Sequence, residues 1–304
     1  MNKIIITAVL AICTLGCKAQ QEKQTVQLLP GEIQTLFNFD LQGHRGARGL
    51  YPENSLVAFK NAIKLGVNTL ELDVVVTKDD QILVSHDPFF NHIICLDSLG
   101  NTINKEDELN LNIYQTTYSQ IRQYDCGSIK HPQFPEQTNS RVSKPLLLDV
   151  IAQSELLSDQ KIFYNIEIKS TPEGDNKYHP TPQVFADLFI KTIQGRIPME
   201  RLTIQSFDFR VLRYIHQAYP DYKLAALVYK DSVKTNLDAL GFIPDSYSPE
   251  HTLLTAEIVA ELHAKGMKVI PWTINEASRM KTVLGWGVDG IITDYPDRGL
   301  RFKK

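Results

Sequence analysis

Between Gly43 and Pro88 the chain reads Gly43-His44-Arg45-Gly46-Ala47-Arg48-Gly49, then Tyr51-Pro52-Glu53-Asn54-Ser55, Glu71-Leu72-Asp73-Val74-Val75-Val76 and Ser85-His86-Asp87-Pro88. Two histidines, an arginine and a set of carboxylates stand where short apolar runs give way to loops. Strand ends of that kind are where α/β proteins keep their chemistry. Leu41 to His44 reads as a short strand and Asn68 to Val76 as a second. Between them Val57, Ala58, Ala62 and Leu65 recur at helical spacing, with Asn54 placed to cap the start of the helix and Gly66 to close its end. Gln81 to Ser85 is a further extended piece after the Lys78-Asp79-Asp80 turn.

Downstream the alternation persists. Lys161–Lys169, Leu202–Ser206, Leu224–Tyr229, Phe242–Tyr247, Met267–Ile274 and Gly290–Asp294 read as strands three to eight. Helices are expected over Pro145–Ala152, Gln183–Gln194, Ala256–Lys265 and Ala277–Leu284, and another is capped by Asp208. Eight such units predict a (β/α)8 TIM barrel. An open doubly wound sheet would need a glycine-rich dinucleotide loop, and Gly43 to Gly49 carries His44 and Arg45 where bare backbone should meet a pyrophosphate. From Phe89 to Arg141 the strand pattern fails, with one helix expected over Thr117–Gln123. A long irregular segment beginning beside candidate site residues is either an active-site cap or a floppy loop; the cap is expected, an insertion at about 88–143 over the C-terminal mouth.

The 304 residues, 43% hydrophobic and 22% charged, suffice for a large core, and a formal net charge of -3 gives no basic excess for nucleic-acid binding. Met1-Asn2-Lys3 and the apolar run Ile4–Leu15 form an export-type signal over residues 1–16, too short to span a bilayer. Gly16-Cys17 resembles the junction of bacterial lipoprotein signals, with Thr14 where leucine is usual, so Cys17 is the expected lipidation site and membrane anchor. A plain signal cut a few residues later, or a buried apolar segment, are the alternatives. Polar residues over 17–38 read as a tether, the barrel occupies 39–304, and the site is expected to be exported, periplasmic or at the cell surface. Cys95 and Cys126 are compatible with a disulfide or with two buried thiols.

Alternation places Glu71 and Asp73 on one face of their strand, with Leu72, Val74 and Val76 on the other. Two acids buried side by side are costly unless a cation lies between them, and carboxylate oxygens suit a hard divalent ion. An ordinary solvated strand end is the competing account, but the valines leave little water on the far face. Asn165, Glu167 and Lys169 share a face in the third strand, so Glu167 can complete a three-carboxylate set; a rim ion pair with Lys169 is the alternative. His44 and His86 at strand ends beside these acids are suited to proton transfer. Arg45 presents a planar fork for a phosphate or carboxylate, and Glu53 is its candidate partner.

His44-Arg45-Gly46, Pro52-Glu53-Asn54, Glu71-Leu72-Asp73, His86-Asp87, Glu167-Ile168-Lys169, Gln205-Ser206-Phe207 and Trp272-Thr273-Ile274-Asn275 occur in this order. Together they resemble the glycerophosphodiester phosphodiesterase family over about Gln42 to Arg298, and Thr293-Asp294-Tyr295-Pro296 resembles its closing motif. The resemblance implies a phospholipase C-like phosphodiesterase barrel that hydrolyses glycerophosphodiesters to sn-glycerol 3-phosphate and an alcohol. It implies Glu71, Asp73 and Glu167 as ligands of one divalent ion, Ca2+ or Mg2+, and His44 and His86 as the acid–base pair. Arg45 and Lys169 would contact phosphate and Trp272 would line the glycerol side, with Glu53, Asn54 and Gln205 in support. A phospholipase acting on intact membrane lipids and a non-catalytic phosphate-binding lipoprotein are the rival functions; the polar insertion lacks the apolar run that the first needs.

Overall fold

The computed structural model describes residues 36–304. The expected export signal, Cys17 and most of the tether lie outside the described residues. Among the described residues there are nine strands: β1 (Asp40–Gly43), β2 (Thr69–Val76), β3 (Ile82–Val84), β4 (Phe163–Ile168), β5 (Leu202–Ser206), β6 (Lys223–Val228), β7 (Ser246–Pro249), β8 (Lys268–Val269) and β9 (Gly290–Thr293). The helices are α1 (Leu56–Leu65), α2 (Tyr118–Ile121), α3 (Leu147–Leu157), α4 (Pro182–Ile193), α5 (Phe209–Ala218), α6 (Val233–Leu240), α7 (Ala256–Ala264), α8 (Ala277–Gly285) and α9 (Pro296–Gly299). Eight strands pair in parallel in the order β8-β7-β6-β5-β4-β2-β1-β9, and β3 lies antiparallel on β2. Backbone bonds from Asp289 N to Val269 O, Ile292 N to Pro271 O and Ile274 N to Ile292 O join β9 to the chain leaving β8. The ring is the TIM barrel that the alternation predicts.

All eight residues of β2 are buried, as a strand of a parallel sheet covered on both faces must be. Its register sets Glu71 opposite Asn165 and Asp73 opposite Glu167, and on the next ladder Glu167 opposite Gln205. Parallel partners in register point to the same side, so acids from β2 and β4 meet at one end of the barrel.

Three local expectations are corrected. Ser55, not Asn54, caps α1 by accepting from Ala58 N; Asn54 has φ +52 and turns its amide to Asp73, while Gly66 closes the helix with φ +102 as expected. The sixth barrel strand begins at Ser246 rather than Phe242, because Pro244 has no N–H to give a ladder. For the same reason β8 stops before Pro271 instead of running to Ile274.

The insertion has its own small core of Phe90, Ile103, Ile113 and Ile121, packed with Val75 and Leu83 of the barrel. Cys95 and Cys126 are joined as a disulfide within it, which decides between the two readings of that pair. It holds both sides of the mouth: Gln137 donates to Arg48 O and Tyr51 O, and Asn112 donates to Lys177 O beyond β4.

Candidate active site

Glu71, Asp73 and Glu167 are buried, each with a ligand oxygen within 4.8 Å of the others. Glu71 accepts from Arg45 N at 2.9 Å and from Gln205 Nε2 at 2.7 Å. Arg45 can offer that amide because its backbone turns at φ +50, followed by Gly46 at φ +89, where an added Cβ would meet Ala58. Asn54 donates to Asp73 at 2.9 Å. Behind Gln205, Asn165 donates to both Gln205 and Gln42, and Gln42 donates to Asp40, so a polar column runs down the barrel interior beneath the acids.

Cations surround the trio. Arg45 pairs with Glu53 at 2.8 Å and reaches Asp73 at 3.3 Å; Lys169 pairs with Glu167 at 2.9 Å and lies 3.9 Å from Asp73. Burial raises the Glu71 carboxyl well above its ordinary pKa, and the Asp73 charge adds to it. Burial likewise drives Glu167 up to about 7 against the pull of Lys169, with Asp73 again pushing upward. Asp73 goes the other way: burial raises it, but Arg45, His86 and Lys169 together hold it well below the usual carboxylate range. Three buried carboxylates, two of which resist ionisation side by side, form an all-oxygen donor set that a hard divalent cation fits.

The imidazoles flank this set. His44 Nδ1 lies 2.6 Å from Asp294 Oδ1 and its Nε2 4.0 Å from Glu71; His86 Nδ1 lies 2.8 Å from Asp87 Oδ1. A carboxylate only accepts at these pH values, so each Nδ1 carries the proton and each Nε2 is left for proton exchange. Burial pushes His44 down to about 4 despite Asp294, and burial with Arg45 and Lys169 lowers His86, so both rings are neutral near pH 7. Trp272 is fixed by its Nε1–H to Ser248 O and meets Phe207 edge-on at 5.3 Å, while Tyr229 meets Phe207 at 5.8 Å, giving the mouth an aromatic wall.

The expected residues therefore assemble as one group, with Glu53, Asn54 and Gln205 each holding a member of it. Asp294, Arg48, Asn275 and Lys144 were not among the expected site residues. Asp294 receives Arg48 Nε at 3.0 Å and Asn275 Nδ2 at 2.8 Å as well as His44. Its position after the last strand, and Asn275 at the end of Trp272-Thr273-Ile274-Asn275, were available signals. Lys144, buried and donating to Ser85 Oγ at 2.8 Å, gave none.

A model of the glycerophosphoryl diester phosphodiesterase family matches residues 44–298. A glycerophosphodiester phosphodiesterase of Caldanaerobacter subterraneus subsp. tengcongensis is 32% identical over 254 residues, 84% of this chain and 93% of that protein. One from Bacillus altitudinis is 30% identical over 267 residues, 86% and 96% of the two. A solved structure from Silicibacter pomeroyi DSS-3 superposes with a TM-score of 0.79 at 28% identity, covering 88% of this chain and 93% of that one. An Oleispira antarctica phosphodiesterase, solved in complex with the product sn-glycerol-3-phosphate, shares the fold at a TM-score of 0.68 and 21% identity over 85% and 94% of the chains. With the family match running from the first histidine to beyond the last strand, the chain belongs to the glycerophosphoryl diester phosphodiesterase family.

Proposed function

We propose that this protein is a divalent-metal-dependent hydrolase that splits glycerophosphodiesters into sn-glycerol 3-phosphate and an alcohol. The observation that carries the reading is the convergence of Glu71, Asp73 and Glu167 between two imidazoles, each held through Nδ1 by an aspartate. Glu71, Asp73 and Glu167 would hold the ion, which when bound supplies positive charge against the phosphoryl oxygens. Lys169, with its side chain 19% exposed, and the Arg45 guanidinium add fixed positive charge at the same place. One neutral imidazole takes at Nε2 the proton of the attacking oxygen, a water or the neighbouring glycerol hydroxyl, and the other, once it has gained a solvent proton at Nε2 and become imidazolium, gives that proton to the leaving alcohol; where the hydroxyl attacks, a water then opens the cyclic diester to the monoester. Phe207 and Trp272 exclude water from the carbon side of the glycerol.

Chelating the full chain, restoring Ca2+ or Mg2+ singly and assaying a panel that includes glycerophosphocholine tests the reading. Turnover that vanishes with chelator and returns with one ion is expected; turnover indifferent to chelator, or confined to micellar phospholipid, overturns it. Export and a lipid on Cys17 belong to the same proposal, and a palmitate label that survives Cys17→Ser would refute the anchor.

A further inference from the structure

Lys144 is the first residue after the insertion and lies beside β3, where Val84 N donates to Pro145 O and Leu83 bridges Leu146. It is 7% exposed. Every other cation named at the mouth has a carboxylate within salt-bridge distance: Arg45 has Glu53 and Asp73, Arg48 has Asp294 and Glu53, and Lys169 has Glu167. Among the described residues no carboxylate pairs with Lys144, and its one hydrogen bond goes to the neutral hydroxyl of Ser85. Asp87, Glu53 and Asp73 attract the ammonium from beyond salt-bridge distance, but burial outweighs them, and a methionine would fill the same space without that net cost. Stability does not account for a lysine here.

What Lys144 touches suggests its use. By donating to Ser85 Oγ it occupies a lone pair of that hydroxyl and leaves the hydroxyl proton for Asp87 O, which accepts it at 2.7 Å. Ser85 is also fixed through its backbone N–H to Asp73 O at 3.0 Å. The turn so held carries His86 and the carboxylate that binds its Nδ1. We propose that Lys144 is a positioning residue for His86, acting through Ser85 and the Asp87 carbonyl and kept at a cost in stability. The proposal rests on the hydrolase reading above, so parent turnover is measured first.

The test is Lys144→Met in the full chain, with Ser85→Ala, the double variant and Lys144→Arg beside it, reading kcat, KM and thermal midpoint on glycerophosphocholine. Misaiming a proton-transfer group predicts a fall in kcat of about 10- to 100-fold with KM little changed. The midpoint should hold or rise. Ser85→Ala should reproduce the loss, the double variant should be no worse than the poorer single because both break one chain of contacts, and the bulkier Arg should rescue poorly. An unchanged kcat, a rise in KM alone, additive losses, or a Lys144→Met chain that melts early or does not fold would each overturn the proposal. Inactivity of the parent on every diester would instead overturn the hydrolase reading.

Discussion

The two sides of the barrel mouth hold their histidines by the same bond and by different means. On one side His44 leans on Asp294, 250 residues away, and that aspartate is 1% exposed and also bound by Arg48 and Asn275. On the other, His86 leans on the next residue, Asp87, and both side chains keep some contact with solvent, 32% and 20%. The first imidazole is aimed only when the last strand closes the ring. The second is aimed by a local turn at the edge of the insertion, where Asn91 and the Ser85 hydroxyl hold Asp87. One side is a property of the whole fold and the other of one loop, and variants should separate them.

The largest effect should ignore the difference. Glu167→Gln or Glu71→Gln removes a carboxylate that both sides share, and turnover is expected to fall by about 1000-fold or more, with excess Ca2+ or Mg2+ failing to restore it. Near-normal turnover in either variant would mean that the acids are structural. Next in size, His44→Ala and His86→Ala should each cost about 100- to 10,000-fold in kcat with the fold intact by circular dichroism. Equal losses fit two proton-transfer roles; a silent variant would leave its side of the mouth without chemistry.

The aspartates expose the asymmetry. Asp294→Asn breaks a buried contact to Arg48 and misorients His44, so about 100-fold in kcat and roughly 2–3 kcal/mol in urea unfolding should be lost together. Asp87→Asn, at a pair that keeps some contact with solvent, should cost about tenfold and under about 1 kcal/mol. The pH dependence has the same sign for both. Burial raises each carboxyl, but for Asp294 the His44 and Arg48 contacts, and for Asp87 the His86 and Asn91 contacts, hold the folded pKa below its unfolded value. Such groups stabilise the fold above about pH 4 and lose that contribution as pH falls further through the folded pKa. Unfolding measured at pH 7 and pH 3 should show this acid loss in the parent and a shallower one in Asp294→Asn; identical slopes would sink the assignment.

How much of this was legible in the chain follows from distance. The alternation of Glu71-Leu72-Asp73 and of Glu167 with Lys169 marks inward acids, because strand period is a local property, and the eight repeats mark the barrel. His86 with Asp87 is adjacent and readable. The Asp294 contact is not, since only ring closure brings residue 294 to residue 44. Asn54 looked like a cap because its type suits one; Ser55 takes that place, and the freed amide serves Asp73. Lys144 before Pro145 looks like any exposed loop cation, and only its burial reveals it.

The smallest effect on turnover should come from the disulfide. The Cys95–Cys126 crosslink spans 31 residues, and the entropy it removes from the unfolded chain stabilises the insertion by about 3–4 kcal/mol. Both cysteines are buried in the small core of Phe90, Ile113 and Ile121 rather than at the mouth. The contacts that clamp the insertion to the His44 side come from Phe134, Glu136 and Gln137, beyond the crosslinked loop. Those that aim His86 come from Ser85, Asp87 and Asn91, before it. Cys95→Ser with Cys126→Ser should therefore lower the thermal midpoint and leave kcat near the parent value at 25 °C. If kcat collapsed on both sides while the barrel stayed folded, the order of the crosslinked loop, and not the two flanking clamps, would be what holds the imidazoles in place.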